Sequence, residues 1–311
     1  MASFTKHIEI YKALGDETRL RLLYLCAQNG LSIKDLMVIT QQSQPRLSRH
    51  LKLMVQAHIL NRVQEGNSVY FYLNRADDYQ KLWDYILNDI KNAQVIKADI
   101  DELKAFTKIK ASQAISDYAP KALNWERVSN KIGRSEIIDV HIKNIITKLK
   151  PQKLLDVGCG YGHLLGQVSP YVSQAYGLEP DVQMIHLARA HMLVLGRDNV
   201  VFYKSDISEL SQYNRKYDCI IAHFFLHLIK GTDTAIQLMQ QALADNGALI
   251  IVDICTHGQS DWAKKLKHAH YGFGLEQLVD ITKKFALELD YYSKIEGQSL
   301  DAQILVFKRK I

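Results

Sequence analysis

Apolar residues in the first quarter of the chain recur at three- and four-residue spacings, the period of helices with one buried face. Leu20, Leu22, Leu23 and Leu25 follow Asp16, which can cap a helix at that point. Ser32 and Asp35 form the pattern S-x-x-D ahead of Leu36, Met37 and Ile39, a capping box. Ser43 can cap the next helix, with Pro45 accommodated in its first turn. There Leu47, Leu51, Met54 and Val55 fall at i, i+4, i+7 and i+8 and predict one buried stripe. Two β-prone runs follow, Arg62-Val63-Gln64 and Val69-Tyr70-Phe71-Tyr72-Leu73. Between them Glu65-Gly66-Asn67-Ser68 reads as the turn of a hairpin.

Residues 76–150 keep a helical period. Leu82, Tyr85, Ile86 and Ile90 mark one amphipathic stretch, and a second runs from Ile100 to Val128 with a break expected at Pro120. This region reads as a connector and a candidate dimer seam. From 151 to 311 short buried-strand runs alternate with helical patterns: Leu154–Val157, Ala175–Leu178, Val200–Tyr203, Asp218–Ala222 and Ala248–Asp253. That alternation predicts a mostly parallel sheet with helices on both faces, which late strands at Leu289–Ser293 and Ala302–Lys308 can close. The division is therefore 1–75, an α+β module of helices and a hairpin; 76–150, a helical connector; and 151–311, an α/β domain.

Bulk composition agrees with two cores: 311 residues, 47% of them hydrophobic. Charge is distributed unevenly. Residues 1–75 hold ten Lys and Arg against five Asp and Glu, almost all of the chain's net +6. A positive first quarter points to an anionic partner such as nucleic acid. The longest apolar run, Cys219 to Ile229, is eleven residues and contains two histidines, too short to span a bilayer. The N-terminal residues lack the apolar core of a signal peptide, so a cytoplasmic protein with no membrane partner is expected. Cys26, Cys159, Cys219 and Cys255 lie far apart without a C-x-x-C pair. Buried reduced thiols are expected, and no metal site.

The sharpest feature of the first module is Ser43-Gln44-Pro45-Arg46-Leu47-Ser48-Arg49-His50-Leu51-Lys52. With its leucines turned inward, the segment leaves Gln44, Arg46, Ser48, Arg49, His50 and Lys52 for other faces. No acidic residue occurs between Gln41 and Gln64. Guanidinium and amide groups read guanine and adenine in the major groove, and Ser and Lys reach phosphates. The helix over Ser32–Thr40 would position this one in a helix-turn-helix, and the hairpin would form a wing offering Arg62 and Asn67. The segments LGDETRLRLLYL, LSIKDLMVITQQSQPRLSRHLKLM and VQEGNSVYFYL resemble the ArsR/SmtB family of winged-helix repressors over about residues 8–75. The resemblance implies a homodimer, a near-palindromic double-stranded DNA operator and repression relieved by a signal. Arsenic-sensing members carry a cysteine pair where this chain has Ser32-Ile33-Lys34-Asp35-Leu36-Met37, so the signal is expected elsewhere.

The second module opens on Leu154-Leu155-Asp156-Val157-Gly158-Cys159-Gly160-Tyr161-Gly162. A glycine loop between strand and helix lets backbone approach a ligand closely. A dinucleotide fingerprint would place glycine at 163, where this chain has His163. Asp156 can order the loop or meet an ammonium group. Glu179 ends the second strand, 21 residues after Gly158, where a carboxylate accepts from ribose hydroxyls. Asp206 follows the third strand and can accept from an adenine amino group while Ile207 covers the ring. Over about residues 115–311 this half resembles the class I S-adenosylmethionine-dependent methyltransferases, a Rossmann-like fold. The resemblance assigns Asp156, Gly158, Gly160 and Gly162 to the methionine side, Glu179 to the ribose and Asp206 to the adenine; Cys159, inside the loop, and Ile207, beside Asp206, are counted with them as ligand-binding. It places His223, in Ala222-His223-Phe224-Phe225-Leu226-His227, near the sulfonium, and likens Trp125 to a lid residue. His223 and His270 are candidate bases for methyl transfer, and His227 reads as a satisfied structural histidine. The whole order resembles ArsR-type regulators that respond to S-adenosylhomocysteine. S-Adenosylmethionine or S-adenosylhomocysteine is thus the expected ligand, with an active small-molecule methyltransferase as the alternative.

Overall fold

The computed structural model describes residues 4–28, 30–65, 68–75, 79–129, 135–213, 215–258 and 268–309, with side chains for all of these but 65, 80, 111, 113–129 and 135. The chain divides into two compact units: Met1–Ser116 with Ala190–Tyr203, and Asp117–Arg189 with Lys204–Ile311.

The first unit begins with α1 (Phe4–Leu14), α2 (Glu17–Gln28), β1 (Leu31–Ser32), α3 (Ile33–Thr40) and α4 (Gln44–Gln56). The hairpin β2 (Leu60–Glu65) and β3 (Ser68–Leu73) follows, then α5 (Gln80–Ile90) and α6 (Gln94–Ser129). Asp16 caps α2, its Oδ1 accepting from the Arg19 N–H at 3.0 Å. The capping box of α3 is complete: the Ser32 hydroxyl accepts from the Asp35 N–H, and Asp35 accepts from the Ser32 N–H at 2.9 Å. Ser43 differs from its expectation. It stands at the start of α4 but makes no side-chain capping bond, and only its carbonyl accepts, from the Leu47 N–H. The hairpin pairs from Leu60↔Leu73 to Glu65↔Ser68, and β1 adds a third, antiparallel strand on β3. Its turn at Gly66-Asn67, with the wing contact expected of Asn67, lies outside the described residues.

The core of this unit joins Leu22, Leu25, Leu36, Leu47, Leu51 and Met54 with Tyr79, Trp83 and Leu103. In α5 Trp83 is fully buried, its indole N–H donating to the Asn74 carbonyl at 2.7 Å, while Tyr85 is 73% exposed. α6 runs without interruption through Pro120, where a break was expected. Proline removes one N–H donor and crowds the preceding turn, which a long helix can absorb when its other bonds hold.

The second unit contributes α7 (Ser135–Leu149), β4 (Lys153–Val157), α8 (His163–Val168), β5 (Gln174–Glu179) and β7 (Tyr217–His223), then α10 (Thr232–Ala242), β8 (Leu243–Ile254), α11 (Leu275–Lys283), β9 (Leu287–Ile295) and β10 (Ala302–Arg309). Helix α9 (Val182–Val194) and β6 (Val200–Lys204) come between β5 and β7 in the chain. The sheet has seven strands in the order β6-β5-β4-β7-β8-β10-β9. Pairing is parallel from β5 through β4 and β7 to β8, and antiparallel for β8–β10–β9. All seven sequence runs lie within observed strands. β8 starts earlier than expected because Leu243 pairs with Tyr217 across a register shift. The strand order reverses at β4, which has β5 on one side and β7 on the other. In open α/β sheets ligands bind outside the carboxyl ends of strands at such a point.

Candidate functional site

The glycine loop lies at that reversal. Gly158, Gly160 and Gly162 all have positive φ, 72°, 52° and 75°. Gly158 is doubly constrained, since a Cβ there would stand 2.5 Å from the Phe225 ring as well as in the left-handed region. The Gly158 and Cys159 N–H groups both donate to the Leu178 carbonyl, at 2.8 and 3.1 Å. The loop is thereby tied to the end of β5. Glu179 strengthens that tie: Oε2 accepts from the Gly160 N–H at 3.0 Å and Oε1 from the Asp181 N–H at 2.9 Å. Burial nonetheless pushes the Glu179 carboxyl above its ordinary pKa.

Asp156 is the most unusual group here. It is 1% exposed, and its Oδ1 has no hydrogen-bond partner among the described residues. Burial, and secondarily the nearby Glu179, push its carboxyl well above the ordinary carboxylate range. An orphaned buried acid costs free energy unless a cation or donor completes it. Cys159 is also buried, and burial raises its pKa well above the ordinary thiol value, so it is an inert thiol.

The other expected ligand contacts stand at neighbouring strand ends. Asp206 is exposed just beyond β6, its Oδ1 accepting from the Ser208 N–H at 2.9 Å. Ile207 beside it is buried. His223 ends β7 half-buried, with Nε2 buried and unpartnered among the described residues. Burial lowers its pKa to about 4, against a weaker opposing pull from Asp139, so the ring is neutral near pH 7. Asp139 of α7 accepts or shares a proton with His163 at 2.8 Å, where α8 leaves the loop. Phe224 follows His223 with a φ of 51°, a left-handed residue that is not glycine, in the turn that carries Phe225 to Gly158.

His227 departs from its reading as a satisfied structural histidine. Its Nδ1 pairs with Asp253 Oδ1 at 2.7 Å, both residues fully buried, and its Nε2 has no partner among the described residues. The Asp253 carboxylate is held in turn by the His227 and Ile254 N–H groups. His270 meets the Thr232 hydroxyl at 3.3 Å. The side chain of Trp125 lies outside the described residues. Among the described residues no group of three or more His, Cys, Asp or Glu is placed to hold a metal ion.

The candidate DNA-reading surface is α4. Leu47, Leu51 and Met54 are buried at 0–1% exposure, while Ser43, Gln44, Arg46, Ser48, Arg49 and Lys52 are exposed. Arg62 on the hairpin is exposed as well. His50 is the exception on α4: half-buried, its Nδ1 lies 3.4 Å from Arg19 Nη1 and 3.7 Å from Asp16 Oδ1. Arg46 reaches back to the Thr18 hydroxyl at 3.2 Å.

Residues 16–62 match the family described as bacterial regulatory proteins of the arsR family, and residues 148–297 match a methyltransferase domain. A regulator from Methanocaldococcus jannaschii, the uncharacterized HTH-type transcriptional regulator MJ1325, is 34% identical over 87 residues, 27% of this chain and 98% of its own length. The chain belongs to the ArsR family. Its ArsR-type DNA-binding domain is also 38% identical over 73 residues to the arsenical resistance operon repressor of Escherichia coli, covering 23% of this chain and 62% of that one. Its methyltransferase domain is 26% identical over 101 residues to the uncharacterized methyltransferase YcgJ of Bacillus subtilis, covering 32% of this chain and 40% of YcgJ. Among solved structures, the N-methyltransferase NodS from Bradyrhizobium japonicum, in complex with S-adenosyl-L-homocysteine, aligns with a TM-score of 0.45 at 18% identity, over 55% of this chain and 87% of its own.

Several contacts of this ArsR-type chain escape a sequence reading. The Asp139–His163 and His227–Asp253 pairs join residues 24 and 26 positions apart, and no local pattern announces either. Phe225 is signalled only weakly, by its position after a strand that ends in His223.

Proposed function

We propose that this ArsR-type regulator sets its operator affinity by binding S-adenosylhomocysteine or S-adenosylmethionine in its methyltransferase domain. The observation that carries this reading is Asp156: a buried carboxyl with an unpartnered oxygen, beside a left-handed glycine loop at the sheet's reversal point. The α-ammonium group of the ligand's methionine moiety would supply the missing donor and charge. In this reading Gly158, Cys159, Gly160 and Gly162 shape the methionine side, Glu179 keeps lone pairs for the ribose, Asp206 and Ile207 take the adenine, and His223 lies near the sulfur. Gln44, Arg46, Ser48, Arg49 and Lys52 read or hold the operator with Ser43 and Arg62, and His50 is seated against Asp16 and Arg19. The regulator acts as a homodimer. Exposed Phe4, Ile8 and Tyr11 at helical spacing on α1, and Tyr85 on α5, are the apolar surface that favours this. The test is fluorescence anisotropy with DNA from the gene's own upstream region at fixed salt, titrating each ligand separately. A tenfold shift, about 1.4 kcal/mol of coupling, supports the sensor; tight DNA binding indifferent to both ligands overturns it.

A second reading, an active methyltransferase that regulates its own operon, is favoured by the His227–Asp253 pair. A buried imidazole oriented by a carboxylate, with its second nitrogen unpartnered, is how proteins hold a general base. Formation of S-adenosylhomocysteine across a screen of small-molecule acceptors, lost in His227→Gln, checks it.

A further inference from the structure

We infer that α6 carries the ligand signal into the DNA-binding unit, and that the Lys110–Asp35 ion pair is the contact that delivers it. The inference rests on the sensor reading above and names its route.

One face of α6 is built into the first unit. Ile96, Asp99, Leu103, Phe106 and Lys110 recur at three- and four-residue steps, spanning about 21 Å of helix. Ile96, Asp99 and Leu103 are at most 6% exposed, and Phe106 packs against the core of the unit. Two charged contacts fix the rotation of this face. Arg21 of α2 grips Asp99 through two bonds, Nε donating to Oδ2 at 2.8 Å and Nη2 to Oδ1 at 2.7 Å. One helical stretch further on, Lys110 Nζ meets Asp35 Oδ1 at 2.6 Å, its ammonium also resting over the Phe106 ring at 5.1 Å.

Asp35 is the informative partner. Its Oδ2 closes the capping box of α3 by accepting from the Ser32 N–H, while its Oδ1 takes Lys110. A single buried carboxylate therefore joins α6 to the first turn of α3, the helix that precedes and positions α4. A surface lysine needs no such partner for solubility, and an exposed pair adds little stability. This pair instead involves a nearly buried acid already committed to a helix end, so moving Lys110 disturbs that end directly. The same helix continues past Ser116 to Ser129, within the unit that carries the glycine loop. Arg21–Asp99 then acts as the anchor of α6 and Lys110–Asp35 as its movable contact.

The experiment compares wild type, Lys110→Met and Lys110→Arg as full chains. Three quantities are measured for each: S-adenosylhomocysteine affinity by calorimetry, operator affinity without ligand, and operator affinity at saturating ligand. Lys110→Met keeps the aliphatic stem and removes the charge. We expect its ligand affinity to stay within about twofold of wild type while the ligand-induced change in operator affinity falls from about tenfold to below twofold. Lys110→Arg restores most of the change. A second variant inserts three glycines after Ser116, leaving both ion pairs in place; it should lose the response in the same way. A full response in Lys110→Met, or in the glycine insertion, overturns the inference while leaving the sensor reading intact. A wild-type chain indifferent to ligand overturns the sensor reading itself, and the inference with it.

Discussion

The two units handle charge in opposite ways. In the first, α4 displays Arg46, Arg49 and Lys52 to solvent over a dry stripe of Leu47, Leu51 and Met54. In the second, the charges that matter are hidden: Asp156 is buried with an oxygen unpartnered among the described residues, and Glu179 is held by the Gly160 and Asp181 N–H groups. Exposed cations suit a large polyanion that arrives with its own counterions. A buried acid suits a small cation that must lose its water to enter. The first contact should therefore answer to salt and the second to pH.

The strongest break of this contrast is Asp156→Asn. It removes the charge awaiting an ammonium group, and ligand affinity should fall roughly 100-fold by calorimetry, in line with loss of a buried charge-assisted bond. Operator binding without ligand should be unchanged. Next in size, Leu51→Ala opens a cavity under α4 and should cost about 2–5 kcal/mol, lowering the thermal midpoint of the first unit. Arg49→Ala should weaken the operator complex about tenfold and reduce the slope of log affinity against log salt by about one, with ligand affinity untouched. A salt slope that does not change would place Arg49 away from the phosphates.

The smallest expected effect is the pH response, and its sign follows from Asp156. The folded pKa is raised, so the ligand-free fold gains from the protonated acid and loses that gain as pH rises toward the raised value. An ammonium ligand requires the ionised form. Ligand affinity should thus climb with pH until Asp156 is ionised without help, and flatten above it. A flat profile in wild type, or the same slope in Asp156→Asn, would show that another group sets the dependence.

Much of this was legible in the sequence because it is local. The S-x-x-D capping box, the stripe of Leu47, Leu51 and Met54, and the run of short strands each lie within a few residues, where period and turn chemistry decide the outcome. The glycine loop was legible for the same reason. What stayed hidden depends on distant parts of the chain meeting. Trp83 was passed over in favour of Tyr85 because helical period alone does not say which face finds a core. Ser43 looked like a cap by residue type, yet its hydroxyl makes no capping bond and the turn is held by its carbonyl. Pro120 looked like a break, and α6 runs through it. His227 looked satisfied because the lone sequence position does not show that Asp253 takes one nitrogen and leaves the other.

That Trp83 and Leu103 share one core with Leu22 and Leu51 also bears on how this regulator can be cut. A fragment ending at residue 75 would lose both side chains and leave their sockets open to water, inviting aggregation instead of a free-standing reader of DNA. A fragment reaching Ser116 would keep its own lid, both ion pairs and the first turns of the helix that leads away. Shuffling of the DNA-reading module between chains would need to respect the same seam, carrying these helices along with the motif that touches the operator.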